Sequence, residues 1–410
     1  MKLLGISTSD ANGLYREEAT YAAEHGRRYS IHFEMDAARA RPRNQDHFAL
    51  FGAAAAFVLG EDYEQDAPAD ATLLAQLREV LSIWKTWYPY RHATRLDVRE
   101  RSAAEAAALS PSAGRRACLF TGGVDSLFTL LRRRDEIDTI LCVVHTGGQD
   151  SSFRAELAKL GPVDAFSERM ALTHLAVGTN MMTAIPEYQD AWAHLSHGAA
   201  YAAAAHFLSG ELAHATISSS LTWSQLMPWG SHPDTDWRFG SSGLSLDHFG
   251  TDTSRIDKTT AIAEVPAFLE MLNVCSRGRH ALGTHINCSN CQKCLRTMLA
   301  LDLAGIDRST ATSFDWSAYS PANAEKIYLR TENEYMLFEE IRDRALSLDR
   351  MDVVEPVNRL IRRSRKFVKL TQAEMAIRLR LPYIARARKS ALTVRNTVYR
   401  VFGLRTRLKD

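Results

Sequence analysis

Residues 116–129 read RACLFTGGVDSLFT, and the order of residue types in that stretch decides the fold. Residues 117–120 are a short apolar run of the kind that forms a strand buried in a parallel sheet, and residues 127–131 open a helix. Gly122 and Gly123 stand between them. Glycine allows backbone angles that turn successive N–H groups toward one point. The first turn of a helix adds unpaired N–H groups and the positive end of its dipole. The turn is therefore expected to hold a phosphate, with Thr121, Gly122, Gly123, Val124 and Ser126 around it. An acid beside a phosphate needs a cation between the two, so Asp125 is expected to carry Mg²⁺.

Outward from this turn the pattern is βαβ. Thr139–His145 is a second apolar strand, residues 172–177 a third and residues 215–220 a fourth, which makes residues 113–310 an open parallel α/β sheet. Ligands of such sheets gather at the carboxyl ends of strands beside the topological switch point, which brings residues 144–149 close to Gly122. The long alanine-rich helix over 191–209 carries His197, expected near the pocket, and His206, expected in the core. Residues 1–112 read as a small α/β domain. In it residues 28–34 form a strand, 53–59 a packed core element, 73–87 a helix, and the acidic stretch 61–70 with Pro68 an exposed loop. Trp84, Trp87, Tyr88 and Tyr90 are assigned to that domain's core.

Residues 223–258 are polar, glycine-rich and irregular, yet Trp223, Trp229, Trp237 and Phe239 are too many large apolar groups for a solvated chain. The segment is predicted to be an ordered substrate loop offering Ser231, His232, Asp236 and His248. Arg255 and Lys258, three apart where the next helix begins, are placed as catalytic cations that neutralise a leaving pyrophosphate. The competing reading is a pair of solvated surface charges.

Of six cysteines, Cys275, Cys288, Cys291 and Cys294 are bunched, the last three as CxxCxxC. That is the wrong distribution for a disulfide scaffold and the right one for a tetrahedral metal site, read as structural Zn²⁺ with an iron–sulfur cluster as the competitor. Cys118 and Cys142, in apolar strands, are expected to be small buried hydrophobes.

TGGVDS resembles the SGGxDS fingerprint of the PP-loop ATP pyrophosphatases, and the lysine of a GxxxxGK[ST] loop is absent. A PP-loop followed by one cysteine and then CxxCxxC is similar to the 7-cyano-7-deazaguanine synthases, over residues 116–300. The resemblance implies an adenine-nucleotide α-hydrolase-like sheet, ATP as cofactor, and Val144 and His145 lining adenine and ribose. It implies an AMP- and pyrophosphate-forming ligase that adenylates a carboxylate or carbonyl oxygen for attack by ammonia or an amine. It departs in the longer Cys275 to Cys288 spacing, in the N-terminal 112 residues and in everything after 310. The alternatives are thiolation of a tRNA base and a non-catalytic nucleotide-binding regulator.

The net charge of +2 hides an asymmetry: residues 357–410 hold sixteen Lys and Arg against Glu374 and Asp410. This helical, basic region (311–410) reads as a separate module for a polyanion, either an anionic membrane surface or nucleic acid. Val394, Val398, Val401 and Phe402 at helical spacing favour the membrane. The opening MKLLGISTSDANG matches no signal peptide, so a cytoplasmic protein, peripheral at the membrane, is expected.

Overall fold

The structure is a computed structural model that describes residues 1–109, 113–146, 152–275, 285–317 and 319–380. Ten strands are present among them: β1 (Lys2–Ala11), β2 (Leu14–Ala22), β3 (Arg28–Asp36), β4 (Tyr63–Ala69), β5 (Leu96–Glu100), β6 (Arg115–Leu119), β7 (Thr139–His145), β8 (Thr173–Thr179), β9 (Leu212–Ser218) and β10 (Ser245–Phe249). They form one mixed, mostly parallel sheet in the order β10-β9-β6-β7-β8-β3-β2-β1-β4-β5. β6, β7 and β8 step one way and β9 returns to the other side of β6, so the switch point lies between β6 and β9.

Successive side chains of a strand leave the sheet on opposite faces. Ala117, Leu119, Leu141, Val177 and Ile217 enter one core, shared with the helices Asp46–Leu59 and His197–Phe207. Cys118, Phe120, Ile140, Cys142 and Val144 enter another, with Leu127 and Phe128 of the helix Val124–Arg132 and Val163 and Phe166 of the helix Gly161–Arg169. Covering on both faces is why these strands read as unbroken apolar runs. Cys118 is fully buried, and burial pushes its thiol up to about 12.

The boundary expected near residue 112 falls inside this continuous architecture. β3 runs antiparallel to β8, with Phe33 opposite Thr179 and Glu34 opposite Gly178, so the N-terminal strands extend the same sheet. The N-terminal helix Asp46–Leu59 also packs on the helix His197–Phe207, both rich in alanine, which lets two helices approach closely. The core assignments hold for Trp84 and Tyr88, whereas Tyr90 is exposed.

Residues 61–70 are not an exposed loop but contain β4. Tyr63, Gln65 and Ala69 turn inward while Glu64 and Asp66 face water, and Pro68 sits where the pairing with β5 slips between Gln65 and Ala69. The helix expected from residue 127 begins at Val124, directly after the glycines. The helix expected over 191–209 is a π-helical turn, Trp192–Ser196, followed by His197–Phe207. The 223–258 segment is ordered and contributes β10, an edge strand parallel to β9.

Toward the C-terminus, Leu295, Leu299 and Leu303 of the helix Gln292–Leu303 pack with Phe338 and Ile341 of Glu332–Ser347. Val353, Val357, Leu360 and Ile361 of Met351–Arg380 join the same core. The first part of the basic region is thus one face of the body. Arg359 pairs with Glu325 at 2.8 Å and Arg363 lies 4.2 Å over the Tyr328 ring, which leaves Arg362, Arg365, Lys366 and Lys369 exposed. The expectations placed on Gly147–Gln149 and on residues 394–405 lie outside the described residues. Among those described, no helix is long and apolar enough to cross a membrane.

Candidate functional site

The strand β6 ends at Leu119, and the chain turns through Gly122 into the helix Val124–Arg132. Gly122 has φ +71°, and a Cβ there would lie 2.8 Å from Met271 Cε and 3.3 Å from the Met271 carbonyl oxygen. We expect Gly122→Ala to cost about 1–2 kcal/mol from the left-handed backbone alone, more if Met271 cannot move, read as a lower urea midpoint. The helix has Gly123 as its N-cap and no side-chain cap, so its first N–H groups face outward without that partner. Ser126 Oγ donates to the Gly123 carbonyl at 3.1 Å, and Thr121 Oγ1 accepts weakly from Gly123 N at 3.4 Å. Both hydroxyls thus brace the turn itself.

A cavity of about 550 Å³ opens over this turn. Thr121, Gly123, Asp125 and Ser126 line it, with Leu141 and Val143 from β7, Ile217 and Ser218 from β9, and His248 from β10. The structure therefore puts the cavity at the switch point. Gly122 and Val124 stand behind the lining, Gly122 against Met271 and Val124 in the core. Val144 does not line the cavity either: the pleat sends it to the opposite face, and Leu141 and Val143 take the place expected for it. His145 packs edge-on against the cavity residue Trp192 at 5.2 Å, and burial lowers its imidazole to about 4, so it is neutral at pH 7.

Arg255 and Lys258 are not solvated surface charges. Both belong to the first turn of the helix Arg255–Ala263, and both turn inward onto Asp125. Arg255 donates to Asp125 Oδ2, which also accepts from Ser220 Oγ at 3.0 Å. Lys258 Nζ lies 3.9 Å from Oδ1 and donates to the Ser219 carbonyl at 2.7 Å. Burial would raise the Asp125 carboxyl, but Arg255, Lys258 and Ser220 hold it below its usual value. Asp125 Oδ1 is buried with no hydrogen-bond partner.

Two further cations, Lys293 and Arg296, reach the same cavity from the helix Gln292–Leu303. Sequence reasoning missed them, although their spacing of three, on either side of Cys294 at the start of that helix, was a signal. Burial and neighbouring Arg255 press Arg296 down to about 9. A guanidinium keeps its proton, so this pressure appears as instability of the empty site instead. Arg296→Met is expected to stabilise the protein by about 1–2 kcal/mol, because it removes a buried guanidinium pressed by Arg255. Thermal unfolding checks the sign.

The four clustered cysteines form a group able to hold one metal ion, with all Sγ atoms within 4.8 Å of one another. The Cys275–Cys288, Cys291–Cys294 and Cys288–Cys294 separations are 3.3, 3.4 and 3.7 Å. A tetrahedral ion with sulfur ligands at about 2.3 Å would set them about 3.8 Å apart. Cys291 is the N-cap of the helix that carries Lys293 and Arg296. Asn287 ties this knuckle to the preceding segment: its amide donates to the Leu272 carbonyl at 2.7 Å and its carbonyl accepts from Val274 N at 2.9 Å. Asn273 N then donates to the Gly122 carbonyl at 2.7 Å. The cysteine centre and the glycine turn are thus joined through three consecutive residues. The far wall, Thr331, Asn333, Glu334 and Leu337, comes from the C-terminal region.

His197 lines the cavity as expected, and His206 is a core histidine whose Nε2 meets the Phe239 carbonyl at 2.8 Å. Trp229 also lines it, Phe239 is fully buried, and Trp223 and Trp237 remain exposed. Set beside family models, curated proteins and solved structures, the chain matches none significantly.

Proposed function

We propose that the chain is an AMP-forming, ATP-dependent ligase of PP-loop type that adenylates a carboxylate or carbonyl oxygen and passes it to ammonia or an amine. One observation carries this reading: an uncapped helix N-terminus after a two-glycine turn shares its cavity with Asp125, Arg255, Lys293 and Arg296, with Lys258 just behind. Such a concentration of donors and positive charge suits a polyphosphate, and the lack of a GxxxxGK lysine favours attack at the α-phosphorus over γ-phosphate transfer.

In this reading the turn's N–H groups hold the phosphates, while Arg255, Lys258, Lys293 and Arg296 neutralise pyrophosphate as it departs. The orphaned Oδ1 of Asp125 fits a hard divalent cation, and Mg²⁺ held there would offset phosphate charge. Leu141, Val143 and Ile217 give the base an apolar wall. The donor set of four thiolates with no open position fits structural Zn²⁺, which would contribute to folding and leave the reaction to the cavity. Release of AMP and pyrophosphate from ATP, assayed over a panel of small carboxylic acids with ammonium chloride, tests the reading. ADP as the product would sink it.

For the exposed cations of the last described helix we propose an anionic membrane surface as partner. Val357, Leu360 and Ile361 of that helix close a core, so the test leaves the helix in place. The variant R362E/R365E/K366E changes only exposed positions and is expected to lose most of its binding to phosphatidylserine vesicles, at roughly 1 kcal/mol per basic residue. Vesicle sedimentation at two salt concentrations checks this. Binding to tRNA with a steep salt slope, and none to vesicles, would give the surface to nucleic acid.

A further inference from the structure

We propose that His248 is the base that takes the proton from the attacking nitrogen when the adenylated substrate is passed to ammonia or an amine. This rests on the ligase reading above. His248 lines the cavity from β10, opposite Ile217 of β9, with its side chain 4% exposed. Its Nδ1 lies 2.7 Å from Asp236 Oδ2. A carboxylate oxygen accepts, so Nδ1 carries a proton, and in the neutral ring Nε2 carries the lone pair. Nε2 is buried and has no hydrogen-bond partner.

The carboxylate that orients the ring is itself fixed. Asp236 is fully buried, accepts from Ser231 Oγ at 2.6 Å on one oxygen and from His232 N at 3.1 Å on the other. The approach of this turn depends on Gly198, whose N–H donates to the Gly230 carbonyl at 2.7 Å. A Cβ at Gly198 would lie 2.3 Å from that carbonyl oxygen and 2.9 Å from Asp236 Oδ1. The other cavity histidines are built differently. His197 Nδ1 meets the Trp192 carbonyl at 2.8 Å, so no carboxylate orients it. His232 Nδ1 accepts from Asp234 N at 3.1 Å, which leaves its Nε2 protonated. His248 alone of the three joins a carboxylate-bound Nδ1 to an unpartnered Nε2.

In the transfer step the nitrogen lone pair forms the C–N bond to the adenylated carbonyl carbon, and one N–H proton passes to His248 Nε2. The C–O bond to the AMP phosphate breaks, and AMP leaves with that electron pair. An acyl adenylate and ammonia thereby become an amide, AMP and an imidazolium, which returns its proton to water. Asp236 is the positioning residue that keeps Nε2 free and steadies the imidazolium.

The test uses the full-length protein with ATP, the carboxylic-acid panel and ammonium chloride. It compares pyrophosphate exchange into ATP, which reports adenylation, with ammonia-dependent AMP release, which reports transfer. His248→Gln is expected to lose about 10²–10⁴-fold in transfer, with a far smaller change in exchange. Equal losses in both, or none in transfer, would overturn the proposal while the ligase reading stands. A wild-type protein that exchanges no pyrophosphate takes down both. Independently, ¹⁵N NMR of labelled imidazoles is expected to show His248 as the Nδ1–H tautomer and a shift toward Nε2–H in Asp236→Asn. An Nε2–H tautomer in the wild type would rule out the base.

Discussion

Asp125→Asn is expected to reduce ATP-dependent pyrophosphate release by roughly 10²–10³-fold or more, because it removes the charge that would hold a cation at the phosphates. The isosteric change is chosen because Asp125 sits between Arg255 and Lys258. Asp125→Asn keeps the side chain's shape and an acceptor oxygen and so leaves no void, but it removes the charge opposite buried Lys258. That loss costs about 3–5 kcal/mol when a buried pair is broken, so thermal unfolding of the variant is measured beside the assay. The same ion pair sets a pH dependence. A carboxyl held below its usual value contributes stability that is fully present above about pH 4 and is lost as pH falls through the folded value. Acid unfolding of Asp125→Asn should therefore be less steep below pH 4 than that of the wild type. A variant with near wild-type turnover would mean that the turn does not serve the phosphates.

Removing the zinc proposed for the cysteine centre should have the other large effect. Binding energies of structural zinc sites run to about 10–16 kcal/mol in small peptides and are largely folding energy. Protein purified in air is expected to contain one zinc per chain and no iron–sulfur absorbance. Cys291→Ser, or a strong chelator, should lower the unfolding temperature markedly and abolish pyrophosphate binding as well. The second loss follows from the path Cys275, Val274, Asn273, Gly122, and from the helix capped by Cys291 that carries Lys293 and Arg296. Pyrophosphate binding that survived metal removal intact would separate the two sites. Iron in an anaerobic preparation would replace zinc.

What was legible in the sequence was what constrains the backbone locally. Two glycines between an apolar run and a helix demand a special turn, and CxxCxxC demands convergence, so both could be placed to the residue. Arg255 and Lys258 were readable as a pair because a spacing of three puts them on one helix face, although not what they would meet. The phase of β7 was not readable, since a strand covered on both faces shows no alternation, and that is why Leu141 and Val143 line the cavity where Val144 was expected. β4 was hidden by its outward acids and Pro68, and β10 by the serines and glycines before it. The pairing of β3 with β8 joins Phe33 to Thr179, a contact that no local pattern announces. The Asp236–His248 pair was visible only as a collection of polar residues, because its meaning depends on a turn approaching through Gly198 and Gly230.

The most direct measurement is ³¹P NMR of the full-length protein turning over ATP with magnesium, ammonium chloride and the carboxylic-acid panel. The account predicts resonances of AMP and pyrophosphate growing in equal amounts, and growth of ADP and inorganic phosphate instead would contradict it.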